Sequence, residues 1–340
     1  MRFRASLLIA GLATIALAAP GLNAQEGFRF KSGVDLVNVT ATVTDDNGRF
    51  VSGLDKQDFT IFDDGKPQPI THFNSDRVPV SLGILLDTSG SMKADKMTAA
   101  RAAIDRFITT LLAPDDELFF VEFADNVDVR QEWTTDREAI SRAVRRVDAD
   151  GGTALYDAVA QSLPLAAGGK HRKKALLVIS DGNDSRSLTT AFDLRQKIRE
   201  SEVLVYALGV DGRAAQTTPA PRNRTPTRPP FPLPTPGIPG IGRPRTFPQL
   251  GTGGGLFGVD ERVNPMALRA MTDDTGGRTE IIRELRDLDA ATARIADELS
   301  KQYSLGYVAP GEHDGRWHAI RVEVRDRNLT VRARRGYVAS

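Results

Sequence analysis

The pattern of apolar and polar positions divides the chain into a β-rich start, a middle that alternates strands with helices, and a second β-rich stretch. Between residues 28 and 76, Val37, Val39, Ala41 and Val43 alternate with Asn38, Thr40, Thr42 and Thr44, the period of a half-buried strand. Asp46-Asn47-Gly48 is a turn signal, and Phe59-Thr60-Ile61-Phe62 predicts a short strand ahead of an Asp64-Gly65 turn. Residues 303–340 repeat this habit. Ile320, Val322 and Val324 alternate with charged residues, Asp326-Arg327-Asn328 offers a turn, and Leu329, Val331 and Ala333 alternate again. Neither stretch is long enough for a substantial core of its own. The two are expected to pair as one small antiparallel β domain.

Between them the run Val80 to Leu86 is apolar throughout, as in a strand buried on both faces. Met97, Ala100, Ile104, Phe107, Ile108 and Leu111 then recur at helical spacing. Further buried strands are predicted over 118–123 and 127–133, a strongly apolar strand over 175–180, a strand over 203–210 and a short one over 278–282. Helices are predicted around 140–147, 155–162, 191–198 and 266–271, and a long last one over about 284–302. This alternation predicts the fold class: α/β, a doubly wound, mostly parallel sheet with helices on both faces.

Two segments depart from it. Residues 212–259 hold 11 of the 19 prolines, six arginines and no acidic residue, so they form a basic, low-complexity insertion that cannot bury a core. Near the start, Arg2 and Arg4 precede an apolar run from Leu7 to Ala19 and small residues up to Ala24. That arrangement reads as a secretory signal peptide, and the run is too short to span a bilayer comfortably. The predicted organisation is therefore a signal peptide at 1–24, a β segment at 25–77, an α/β domain at 78–302 interrupted by a disordered insertion at 211–262, and a β segment at 303–340. The expected location is periplasmic or extracellular, with no stable membrane span after signal cleavage.

Composition narrows the chemistry. With 45 Lys plus Arg against 44 Asp plus Glu, the chain is not a general nucleic-acid binder. It has no cysteine, which removes disulfides, thiolate zinc sites, iron–sulfur clusters and a Cys nucleophile. The four histidines, His72, His171, His313 and His318, show no ligand spacing, so imidazole metal sites are not expected.

The sharpest feature closes the first α/β strand: Leu85-Leu86-Asp87-Thr88-Ser89-Gly90-Ser91-Met92. Strand ends of this kind are where such sheets bind ligands. Asp87, Ser89 and Ser91 offer hard oxygens with a low anionic count, a donor set suited to Mg²⁺. Each residue is also an ordinary helix-capping type. Two further segments reach the same rim. Asp150-Gly151-Gly152-Thr153 is a glycine-rich loop entering a helix, and Val178-Ile179-Ser180-Asp181 ends a later strand.

The set Asp87-x-Ser89-x-Ser91, then Thr153, then Asp181 resembles the metal-ion-dependent adhesion site of von Willebrand factor type A domains. The flanks, "VDLVNVTATVTDDNGRFVSGLDKQDFTIFDDGKPQPI" and "IADELSKQYSLGYVAP", resemble those of exported bacterial proteins related to that family. The resemblance implies a VWA/Rossmann-like domain over 78–302. It implies that Mg²⁺, or alternatively Mn²⁺ or Ca²⁺, is held by Asp87, Ser89 and Ser91, with Thr153 and Asp181 completing the shell. It implies further that an open coordination position accepts an Asp or Glu carboxylate from a partner protein. In related domains the last helix shifts when the metal takes ligand, which here would pull on the C-terminal strands through the short connector at Tyr303 to Gly306.

The expected function is non-enzymatic, with no catalytic residues: an exported adhesion or interaction protein. One alternative is a structural envelope protein whose metal only stabilises the fold. Another is a hydrolase related to aspartyl-phosphate phosphatases, but Ser89 stands where such chemistry wants a second acid. The surroundings of Ser89 also lack a nucleophile elbow.

Overall fold

The computed structural model describes residues 36–211, 263–310 and 314–339. The expected signal peptide at 1–24 lies outside the described residues, as does the expected insertion apart from Asp211.

The described chain begins with β1 (Leu36–Thr44), whose Val37, Val39, Ala41 and Val43 point into a core as their alternation predicts. The hairpin of β2 (Phe59–Asp63) and β3 (Lys66–Gln68) follows. Its turn residues Asp64 and Gly65 both have positive φ, +48° and +77°, as the tight primed turns of hairpins require. β4 (His72–Asn74) then leads into the central domain.

There the elements are β5 (Val80–Asp87), α1 (Asp95–Arg106), β6 (Glu117–Phe123), β7 (Val127–Thr134), α2 (Arg137–Arg145), α3 (Leu155–Ala167), β8 (Lys173–Ser180), α4 (Ala191–Glu200), β9 (Leu204–Val210), α5 (Pro265–Thr272), β10 (Thr279–Ile282) and α6 (Leu288–Lys301). The chain closes with β11 (Tyr303–Val308), β12 (Trp317–Val324), β13 (Thr330–Ala333) and β14 (Gly336–Val338).

The central sheet has the order β10-β9-β8-β5-β6-β7. All its neighbours are parallel except β7, which runs antiparallel to β6. Burial on both faces explains why β5 is apolar without alternation. Leu82, Ile84 and Leu86 pack with α1 and α6 on one face, and Leu85 packs with Phe119 and α3 on the other. Gly83 lets Phe119 and Leu176 close over the strand: a Cβ there would stand 2.2 Å from Phe119 Cζ and 2.6 Å from Leu176 Cδ2. Gly83→Ala is expected to cost about 1–3 kcal/mol as an overpacked core, read as a lower urea midpoint with unchanged slope.

One strand differs from expectation. Residues 127–133 read as a third buried strand, yet β7 is the sheet's edge, mostly half-buried or exposed, with Val129 47% exposed. Val127 and Trp133 still pack on the core from this edge, Trp133 edge-on against Phe119 with ring centroids 4.7 Å apart.

Strands from both flanks of the central domain form two antiparallel sheets, β13-β1-β11-β4 and β14-β12-β2-β3. β1 pairs with β11 and β13, and β12 pairs with β2. Their shared core includes Ile61, Tyr303, Leu305 and Tyr307.

This β module is fastened to the central domain through Glu298 on α6, which is fully buried. Its carboxylate accepts hydrogen bonds from Tyr206 of β9 at 2.9 Å and Thr42 of β1 at 3.2 Å. It also pairs with Arg332 of β13, and with Arg278 at 3.3 Å. Next to it, the Gln302 amide donates to Tyr206 at 2.8 Å and to Thr42 at 3.2 Å.

Candidate metal centre

Asp87 is the last residue of β5, and the sheet carries it to the carboxyl rim with no solvent exposure. One carboxylate oxygen accepts the Ser89 N–H at 2.8 Å, and the other accepts the Ser180 hydroxyl at 2.5 Å. The chain then turns through a short 3-10 helix, Gly90–Met92, which brings the Ser89 and Ser91 hydroxyls within 3.0 Å of each other. Ala94, between this turn and α1, has φ +57° and ψ −117°, a conformation that L residues rarely adopt. Strain of this kind persists only where the surroundings over-determine it.

The glycine-rich loop is tied to the same rim by backbone bonds. The Gly90 N–H donates to the Gly151 carbonyl at 3.0 Å, and the Asp150 N–H donates to the Thr88 carbonyl at 2.8 Å. Gly151 has φ +82°, a left-handed backbone conformation that favours glycine. Thr153 is buried in this loop, held by its N–H to Ser185 Oγ at 3.0 Å and by its carbonyl to the Ser185 and Arg186 N–H groups.

Asp181 follows β8 and is also fully buried. Its Oδ1 accepts from the Asn183 N–H at 3.3 Å, while its Oδ2 has no hydrogen-bond partner. Lys96, on the first turn of α1 and itself buried, places its ammonium 3.7 Å from that oxygen. Sequence reasoning missed Lys96. The available signal was its place four residues before the core residue Ala100, on a helix that begins at the rim.

Thus Asp87, Ser89 and Ser91 form one contiguous oxygen cluster, and the loops bearing Thr153 and Asp181 reach the same rim. The electrostatics call for a cation. Burial drives the Asp87 carboxyl up to about 7, against the hydrogen bonds from Ser180 and Ser89, and the nearby Asp181 charge adds to the rise. A buried carboxylate oxygen with no hydrogen-bond partner, beside a carboxyl whose ionised form burial disfavours, suits a hard divalent ion coordinated by oxygen.

Comparison with known proteins gives the following. Residues 82–183 match the family model of the von Willebrand factor type A domain. A Synechocystis protein is 30% identical over 141 residues, covering 39% of this chain and 32% of that protein, so the match spans about a third of the relative. Among solved structures, a von Willebrand factor type A protein from Catenulispora acidiphila superposes with a TM-score of 0.47 at 15% identity, covering 91% of this chain and 75% of that one. The conserved hypothetical protein BatB from Bacteroides thetaiotaomicron gives 0.44 at 20% identity, covering 65% and 98%.

Proposed function

We propose that this chain, which carries a von Willebrand factor type A domain, is an exported, non-enzymatic interaction protein that captures a partner's Asp or Glu carboxylate through a divalent ion. Asp87, Ser89 and Ser91 would hold the ion, with Thr153 and Asp181 completing its shell. Bound there, the ion supplies a Lewis-acidic position open to an anionic oxygen. The observation that carries this reading is the pair of fully buried carboxylates, Asp87 and Asp181, set with the two serine hydroxyls at the rim.

Lys96 sharpens the reading. Two carboxylates, one ammonium and a divalent ion leave the site with a net positive charge, which favours an incoming carboxylate over water. Ser180 orients the Asp87 carboxylate, and the backbone bonds between the Gly90 and Gly151 loops fix the mouth of the site. No helix among the described residues is long and apolar enough to cross a membrane.

The test is capture of partners from a bacterial envelope extract by the full chain with Mg²⁺, with chelator, and with Asp87→Ala. Capture is expected only in the first case. Equal capture in all three removes the proposed mechanism. A metal that merely stabilises the fold would raise the melting temperature without changing what is captured.

A further inference from the structure

A second cluster lies in the β module, on strands that do not belong to the central sheet. Asp63 ends β2, Asp64 begins the tight turn, and His318 lies on β12. The pairing of β12 with β2 brings together residues more than 250 positions apart. One carboxylate oxygen from each of Asp63 and Asp64 and a His318 ring nitrogen all lie within 4.8 Å of one another.

We propose that Asp63, Asp64 and His318 form a second metal site, selective for a borderline transition ion such as Zn²⁺ rather than for Mg²⁺. Asp63 is 1% exposed, and its Oδ2 is occupied by the hydroxyls of Tyr307 at 2.8 Å and Tyr337 at 3.0 Å. Its Oδ1 has no hydrogen-bond partner and lies 4.0 Å from His318 Nδ1. The two tyrosines therefore fix the carboxylate with one bare oxygen turned into the cluster. Asp64 Oδ1 is held by the Ala319 N–H at 2.9 Å, while its Oδ2 lies 2.9 Å from His318 Nδ1.

The imidazole lies between two carboxylates, Asp64 on Nδ1 and Asp314 on Nε2, so an ion entering at Nδ1 takes the place of the contact with Asp64 and requires that nitrogen deprotonated. On its far side, Nε2 meets Asp314 Oδ1 at 3.1 Å, and the ring stacks on Tyr337 with centroids 5.3 Å apart. A carboxylate on the second nitrogen is the usual partner of a metal-bound histidine, where it sets the tautomer and the ring orientation. Two donors at 2.0–2.2 Å from a tetrahedral ion stand roughly 3.4 Å apart, between the 2.9 Å and 4.0 Å found here. One imidazole and two carboxylates make a mixed N/O set that suits zinc-like ions, and two negative charges neutralise a divalent one. The His318 side chain is 16% exposed, which leaves the site an approach for the ion and for a water ligand.

Equilibrium dialysis against Zn²⁺ tests this on the full chain carrying Asp87→Ala, which disables the rim. One Zn²⁺ per chain is expected, undiminished by excess Mg²⁺. Asp63→Asn keeps an oxygen for the two tyrosines but turns an amide into the cluster, and His318→Gln removes the imidazole. Each should abolish stoichiometric binding, with circular dichroism confirming the fold. Asp314→Asn, away from the ion, should weaken binding by about 10–100-fold. Failure of the Asp87→Ala chain to retain Zn²⁺ overturns the proposal. So does retention unchanged by Asp63→Asn and His318→Gln, or, if neither variant folds, retention unchanged by Asp314→Asn.

Discussion

Glu298→Ala is expected to lower folding stability by about 3–5 kcal/mol, since removing one partner of a buried ion pair leaves the others uncompensated. Glu298 is the one acceptor shared by Tyr206, Thr42 and Arg332, and it faces Arg278 as well. Without it the Tyr206 and Thr42 hydroxyls lose their acceptor inside the protein and the Arg332 charge loses its counter-charge, while Arg278 keeps Glu280. Glu298→Gln keeps one oxygen, enough for the two hydroxyls that share Oε1, and should cost clearly less. Urea unfolding of the three chains gives the comparison. Equal midpoints for Ala and wild type would show that the β module is fastened elsewhere.

The second large effect couples metal to pH at Asp87. Its folded pKa, about 7, lies above the ordinary 3.8, so the metal-free folded state binds a proton that the unfolded chain does not hold between those values. Metal-free stability should therefore be greatest at low pH in this window and fall as pH rises from about 4 to 7. A shift of this size corresponds to a loss on the order of 4 kcal/mol. A divalent ion favours the ionised carboxylate and offsets the loss. The rise in melting temperature on adding Mg²⁺ should be small at pH 5 and large at pH 8. Asp87→Asn should remove both the slope attributable to this residue and the Mg²⁺ increment. An increment independent of pH would mean that the ion binds elsewhere.

Much of the fold was legible because burial on two faces leaves a plain mark. The runs 80–86, 118–123 and 175–180 stand in the structure as β5, β6 and β8. β7 was misread because Val127, Val129 and Trp133 are apolar, while its position at the edge depends on which strand lies beyond it. At the rim, Asp87, Ser89 and Ser91 were readable because one turn carries all three. Glu298 was not readable: it sits beside Leu299 on a helix like any surface glutamate, and its partners come from β1, β9 and β13. The Asp63–Asp64–His318 cluster was hidden for the same reason. Histidine spacing carries no information when the carboxylates arrive across a strand pairing.

The strand pairing also sets an order of assembly. Every pair in the central sheet lies between residues 80 and 282, so that sheet can close as soon as those residues exist. β1 cannot pair with its sheet neighbours until residues 303–308 and 330–333 have been made, and β2, which pairs with β3 at once, must wait for residues 320–324 to cover its other edge. During synthesis the early strands are left with open edges, a state prone to pairing with the wrong chain. The late strands complete both antiparallel sheets, so a chain stopped after α6 would hold a finished central domain beside an unfinished one.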